Sequence, residues 1–177
     1  MAYTKTVWEN KPSTATPISA ANFNNIEDAL DKVANTKGAL VCLTSGINIP
    51  ADTDIAVTFN SDSVEYDTCS FFNTSQRDRI TIPAGVSKVI VGVFMDFDQN
   101  VNVGSARTQI IKNGGGYSGF SEINGAGLIR AGVKTPVLMV NEGDYFQMFV
   151  RQESGATRQL RGFPNKAGTH IFIQVVE

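Results

Sequence analysis

Apolar and polar residues follow two different periods along this chain, and the change comes near residue 38. Between Thr16 and Val33, the apolar residues Phe23, Ile26, Leu30 and Val33 recur at spacings of 3, 4 and 3. That spacing is the seam by which parallel helices supercoil, whereas a helix lying on a globular core carries a wider apolar stripe. Ser19 is placed to cap the helix N-terminus, and Ile18 to staple against Phe23. Gly38 is predicted to close it. A helix of about four turns is marginal alone, so the seam predicts partner helices. Upstream, Lys11-Pro12-Ser13-Thr14-Ala15-Thr16-Pro17 predicts an extended arm, with Trp8 as its one large anchor.

From Ala39 onward, runs rich in Val, Ile, Phe and Thr alternate with Gly, Pro, Asn and Asp. They predict strands at 39–44, 47–49, 55–59, 71–73, 78–82, 88–98, 106–112, 128–133, 134–140, 145–152, 159–162 and 170–176. Short turns between many strands imply a β-sandwich, so the expected domains are an arm and helix at 1–37 and a β head at 38–177. In the longest run Val89, Val91, Val93, Met95 and Phe97 share one face, yet Ile90 and Phe94 make the other face apolar as well. A sandwich layer buries one side, so a subunit interface is expected on the second. The same holds at 145–152: Phe146, Met148 and Val150 form a core face, while Tyr145 and Phe149 are expected at an interface unless Phe149 lies beneath a loop.

The 177 residues carry 15 basic and 17 acidic side chains, a formal charge of −2 without any basic run. Nucleic acid is therefore not an expected partner. No stretch reaches the roughly 20 apolar residues that span a bilayer, and Met1 to Trp8 lacks the apolar core of a signal peptide, so synthesis in a cytosol without membrane insertion is expected. Cys42 and Cys69 have neither metal-site nor redox spacing and are expected to be buried thiols.

The chemistry sought is mostly missing. Asn113-Gly114-Gly115-Gly116-Tyr117-Ser118-Gly119 has no following Gly-Lys-Ser/Thr, so it predicts a flexible surface loop instead of a phosphate cradle. Asp96, Asp98 and Asn100 alternate like calcium ligands, but the glycine and glutamate that an EF-hand requires are Val101 and Arg107, which leaves a weak metal candidate. Asp52, Asp54, Asp62, Glu65 and Asp67 read as solvated loop carboxylates. His170 is the one imidazole and no nucleophile elbow accompanies it, so no catalytic residue and no cofactor are expected. Arg151, Arg158 and Arg161 surround the turn at Glu153-Ser154-Gly155-Ala156; with Tyr117 they are the candidate ligand-binding residues, the guanidinium fork suiting an anionic cell-surface polymer.

Two resemblances extend this reading. Arg79-Ile80-Thr81-Ile82-Pro83-Ala84-Gly85-Val86, the run Val137-Leu138-Met139-Val140-Asn141-Glu142-Gly143-Asp144-Tyr145-Phe146-Gln147-Met148, and the closing Ile171-Phe172-Ile173-Gln174-Val175-Val176 resemble the complement globular-head and tumour necrosis factor superfamily. That resemblance, over about Val64 to Glu177, implies a mainly β, antiparallel jelly-roll head in a homotrimer. Trp8, Thr16-Pro17-Ile18, Ala20-Ala21-Asn22-Phe23-Asn24 and Ile26-Glu27 are similar to the opening motif of many tailed-bacteriophage virion proteins, with Phe23 where Leu is usual. This implies virion attachment through Trp8, Pro17 and Ile18, with other virion proteins as partners of residues 1–37, while the heptad spacing of Phe23, Ile26, Leu30 and Val33 makes them the expected trimerising seam. The expected function is a fibre or spike head in the virion that attaches to a host cell-surface glycan or protein. The alternative is a capsid decoration or head-fibre protein with a purely structural role.

Overall fold

The structure is a computed structural model that describes residues 20–34, 37–60, 62–97, 102–126, 129–163 and 168–176. The chain divides between Thr36 and Lys37 into two compact units. The first contains helix α1 (Ala20–Ala34). On it Phe23 is half-buried, whereas Ile26 and Leu30 are 53% and 48% exposed. Trp8, Pro17, Ile18 and Ser19, and the Val33 side chain, lie outside the described residues. Gly38, predicted to end the helix, instead opens the first strand. It must be glycine because a Cβ there would run into the Ile173 carbonyl oxygen on the neighbouring strand.

The second unit contains β1 (Gly38–Cys42), β2 (Ile47–Ile49), β3 (Ile55–Ala56), β4 (Val64–Asp67), β5 (Ile80–Thr81), β6 (Lys88–Asp96) and β7 (Asn102–Lys112). It continues with β8 (Tyr117–Ala126), β9 (Arg130–Lys134), β10 (Leu138–Met139), β11 (Tyr145–Gln152), β12 (Arg158–Leu160) and β13 (His170–Val175). They form an antiparallel jelly roll. One sheet has the order β10-β6-β13-β1-β4, with β9 continuing the β10 edge beside β6; the other has the order β3-β11-β7-β8, with β5 on the same edge as β3; β2 and β12 pair as a short ribbon. The first and last strands of the unit lie side by side, from Gly38 opposite Gln174 to Cys42 opposite His170.

Register fixes which side chains face inward. From the six-stranded sheet Ala39, Val41, Val89, Val91, Val93, Met95, Ile171 and Ile173 are buried, and from the five-stranded sheet Ala106, Ile110, Phe146, Met148 and Val150. Phe59, Phe71 and Phe97 from connecting segments fill the ends of the core. Each such large side chain contributes about 1.5–3 kcal/mol by leaving water. Asp67, expected to be solvated, ends β4 by accepting the backbone N–H groups of Cys69, Phe71 and Phe72 at 3.1, 3.0 and 2.9 Å. That carboxylate replaces the ladder the chain leaves at this corner.

Of the segment expected to be a flexible loop at 113–119, Tyr117 to Gly119 belong to β8. Only Asn113 to Gly116 turns: the N–H of Gly115 donates to the carbonyl of Lys112 at 2.9 Å, and Asn113 and Gly114 both have positive φ, 53° and 66°. Two positive φ values in succession make the mirror-image turn whose twist matches a β-hairpin, and it joins β7 to β8.

Candidate functional site

Two sheet faces point away from the core, and they differ in chemistry. On the six-stranded sheet the outer positions include Leu40, Tyr66, Ile90, Phe94, His170 and Phe172, since Leu40 pairs Tyr66 and Phe172, Phe172 pairs Gly92, and His170 pairs Phe94. The Phe172 ring lies over Gly92 so closely that a Cβ at Gly92 would collide with it. Beside it the His170 ring stacks on Phe94, with centroids 5.5 Å apart and an interplanar angle of 17°, and tilts against Phe172 at 6.4 Å. Leu40, Ile90, Phe94 and Phe172 are half-buried and Tyr66 is exposed. At the opposite edge of the sheet from Tyr66 and Val64 stand the exposed Val137 and Met139.

Cys42 lies opposite His170 in the β1–β13 ladder, which raises the question of a nucleophilic pair. Burial, with the Glu65 charge adding to it, pushes the Cys42 thiol up to about 11, and burial pulls His170 below its ordinary value. Both are neutral at pH 7, and the imidazole Nδ1–H donates to the Gly168 carbonyl at 2.8 Å. A protonated thiol beside a neutral, otherwise engaged imidazole is not an activated nucleophile. Cys42 and Cys69 are free thiols, Cys42 buried and Cys69 half-buried.

The outer face of the five-stranded sheet is built from β8, β7 and β11. Cross-strand pairing sets out three rows: Tyr117, Ile111 and Gln147; Phe120, Gln109 and Phe149; Glu122, Arg107 and Arg151. Tyr117 and Phe120 are 64% and 46% exposed, with their rings tilted against one another at 6.1 Å. A register shift at Ile110/Ile111 brings Tyr117 opposite Ile111 and leaves Ser118 as the extra residue, so two aromatics three residues apart share a face. Gln147 and Gln109 are both buried; the Gln147 amide donates to Asp78 at 2.6 Å, but Nε2 of Gln109 has no partner. Arg107 makes a two-nitrogen contact with Asp54, at 2.8 Å in the shortest pair, and Arg151 pairs with Glu153 at 3.2 Å and lies 3.9 Å from Asp52 and Asp54.

The arginines grouped by the sequence are thus separated in the fold. Arg151 belongs to this outer face. The half-buried Arg158 sits in the β12 ribbon, where its Nε–H donates to the Ser154 hydroxyl at 3.0 Å. Arg161 reaches Asp96 in the other sheet, with Nη2 at 2.6 Å from a carboxylate that is 3% exposed. Arg130 closes the other Asp96 oxygen at 3.2 Å, and the Arg161 guanidinium lies 5.1 Å from the Phe163 ring centroid. Asp96 is therefore the buried anion of an ion triad, not a cation ligand, and this corrects its reading as a metal candidate; Asp98 and Asn100 lie outside the described residues. Among the described residues no cluster of His, Cys, Asp or Glu is arranged to hold a metal ion.

Tyr145 and Phe149, expected at an interface, belong to the five-stranded sheet and are half-buried; the guanidinium of Arg79 covers the Tyr145 ring at 4.3 Å. The sequence reading passed over Phe120, Gln109 and Glu122. Their signal was the Asn113-Gly114 hairpin turn, which marks a strand on either side of it.

No protein-family model matches the sequence, and no curated protein matches it. Among solved structures, Eiger TNF from S. frugiperda aligns over 81% of this chain and 94% of its own, with a TM-score of 0.50 and 10% identity. Murine APRIL aligns over 79% of this chain and 100% of its own, with a TM-score of 0.51 and 8% identity. At that identity the likeness is one of fold: the jelly roll described above is of the kind found in these two proteins.

Proposed function

We propose that this chain is a bacteriophage virion protein, the trimeric head of a fibre or spike, held to the particle by residues 1–37 and attaching it to the host cell surface. The observation that carries the reading is where the large apolar side chains are exposed. Ile26 and Leu30 lie on the helical seam, and Val64, Tyr66, Val137 and Met139 lie at the two edges of the six-stranded sheet whose outer face holds Leu40, Ile90, Phe94 and Phe172. A monomer rarely leaves such a patch in water. Copies of the same chain, brought parallel by the seam, cover both patches at once. The jelly-roll resemblance supports threefold symmetry, and the likeness of the N-terminal motif supports the virion placement. Three heads on one stalk bind with avidity, so shallow individual sites suffice.

Light scattering on the full chain tests self-association: the expected mass is three times the 19.1 kDa of one chain. Tyr66→Lys combined with Met139→Lys, both at exposed positions, lowers that mass while the far-UV spectrum is kept. A single-chain mass for the unmodified protein at micromolar concentration overturns the trimer. Attachment is tested by labelling bacterial cells with the purified protein. Failure to label any, together with virions that fall apart when the protein is missing, replaces attachment with the purely structural role of a decoration protein.

A further inference from the structure

We propose that the outer face of β8 and β7 is a platform for a neutral saccharide chain, with Tyr117 and Phe120 as stacking rings and Gln109 and Glu122 as hydrogen-bonding groups. The proposal rests on the attachment reading and names the ligand class of that head. Of the exposed large apolar side chains, Tyr117 and Phe120 are the two that self-association leaves unused, since they lie on the other sheet from the apolar face assigned to it. Two tilted rings offer flat apolar surface of the size of a pyranose, whose C–H groups pack on an aromatic face while its hydroxyls point sideways. They are too little surface for a protein partner, which needs about 800 Å² on each side.

The polar surroundings select among saccharides. Both arginines on this face are held by carboxylates, Arg107 by Asp54 and Arg151 by Glu153, so no unmatched cation awaits a phosphate or uronate. Glu122, exposed and held at one oxygen by the Ser105 hydroxyl at 2.7 Å, adds an acceptor that repels a polyanion and suits a sugar hydroxyl. Gln109 supplies the second, independent observation. Its amide nitrogen is buried without a partner, while the other glutamines buried in the described residues, Gln147 and Gln152, are hydrogen-bonded. An orphan donor in a sheet destabilises the fold unless something satisfies it, and a ligand hydroxyl at this amide would do so. Its cross-strand neighbours are Phe120 and Phe149, so a hydroxyl that reaches the amide would enter beside the exposed Phe120 ring.

The test applies the full chain to an array of neutral hexose and N-acetylhexosamine oligosaccharides, alongside a glycerol-phosphate polymer. Binding to at least one neutral oligosaccharide is expected, with a loss of about tenfold or more in Tyr117→Ala combined with Phe120→Ala, both at exposed positions that leave the fold intact. Gln109→Leu is expected to raise the thermal midpoint and weaken the same binding, a combination that a merely structural glutamine does not produce. Retention of the phosphate polymer alone, retention of nothing, or equal binding by the double variant overturns the platform. Cells labelled equally by wild type and double variant overturn it while leaving attachment standing. Array binding that the double variant loses, with no cells labelled, upholds the platform and overturns attachment.

Discussion

Arg161→Met separates a structural arginine from a ligand-binding one. In the wild type Asp96 is 3% exposed and its two oxygens are held by Arg161 at 2.6 Å and Arg130 at 3.2 Å. Methionine keeps the aliphatic bulk of the side chain but removes the stronger partner, and the remaining one, Arg130, is 46% exposed and therefore screened by water. Removing one side of a buried pair costs about 3–5 kcal/mol. The surviving Arg130 contact brings the expected loss to the lower end, about 3 kcal/mol, to which the guanidinium over Phe163 adds about 0.5–1 kcal/mol. With a urea slope of about 2 kcal/mol/M, the unfolding midpoint falls by roughly 2 M. The measurement is urea unfolding of the full chain followed by far-UV circular dichroism at one fixed protein concentration, since self-association would otherwise shift the midpoint by mass action. Adding Asp96→Asn to the Met variant removes the uncompensated charge, so part of the loss returns. If Arg161→Met unfolds within about 0.5 kcal/mol of wild type and instead abolishes cell labelling, the triad is not structural and the reasoning fails.

Three further outcomes follow from the same geometry. Gly92→Ala places a methyl group inside the Phe172 ring, so the ring leaves its position on the outer face; the expected loss is about 1–3 kcal/mol, and light scattering should show weaker self-association while the fold persists. His170 has a folded-state value held below its ordinary 6.5 by burial, so the unfolded chain takes up a proton first as the medium is acidified. Its contribution is thus complete above about pH 6.5 and is lost as pH falls from there toward the depressed value; thermal midpoints between pH 7.5 and 5 should fall more steeply for wild type than for His170→Phe. Ile26→Asp puts a charge on the exposed helical seam, and the assembly should shift toward single chains on dilution; an unchanged mass would mean that the head alone holds the copies together.

Strands that carry apolar side chains on a strict period of two, β6 and β11, were readable from sequence to within about two residues, because burial on one face sets their alternation whatever lies outside. β2 was readable for another reason: Gly46 and Pro50 punctuate it on either side. β8 was not. Its bulge at Ser118 breaks the period, and Gly119, Gly125 and the polar residues between them lower its strand propensity, so its partner β7 and the turn geometry decide its conformation. Gly38 misled for a related reason, since glycine ends a helix and also lets two backbones meet, and only the position of Ile173 distinguishes the two uses.

The arginine cluster shows why the candidate site was harder to read than the fold. Arg151, Arg158 and Arg161 are neighbours in sequence around one turn, but alternation and the crossing between sheets send them to three environments, and each arrives at an oxygen acceptor: Glu153, the Ser154 hydroxyl and Asp96. Glu153 lies two residues from Arg151, but the other acids that meet the arginines come from 52–54 and 96, separations that no local pattern announces. An arginine already held by a carboxylate would have to break that pair before binding an anion, and the exchange gains little. The Tyr117 and Phe120 rings carry no charge for another side chain to match. Tyr117 and Phe120 stay exposed because their strand lies at the edge of its sheet, where no further strand covers the outer row. The ion pairs thus leave the exposed rings of Tyr117 and Phe120, and not an unmatched guanidinium, as the distinctive chemistry of the β8 and β7 face.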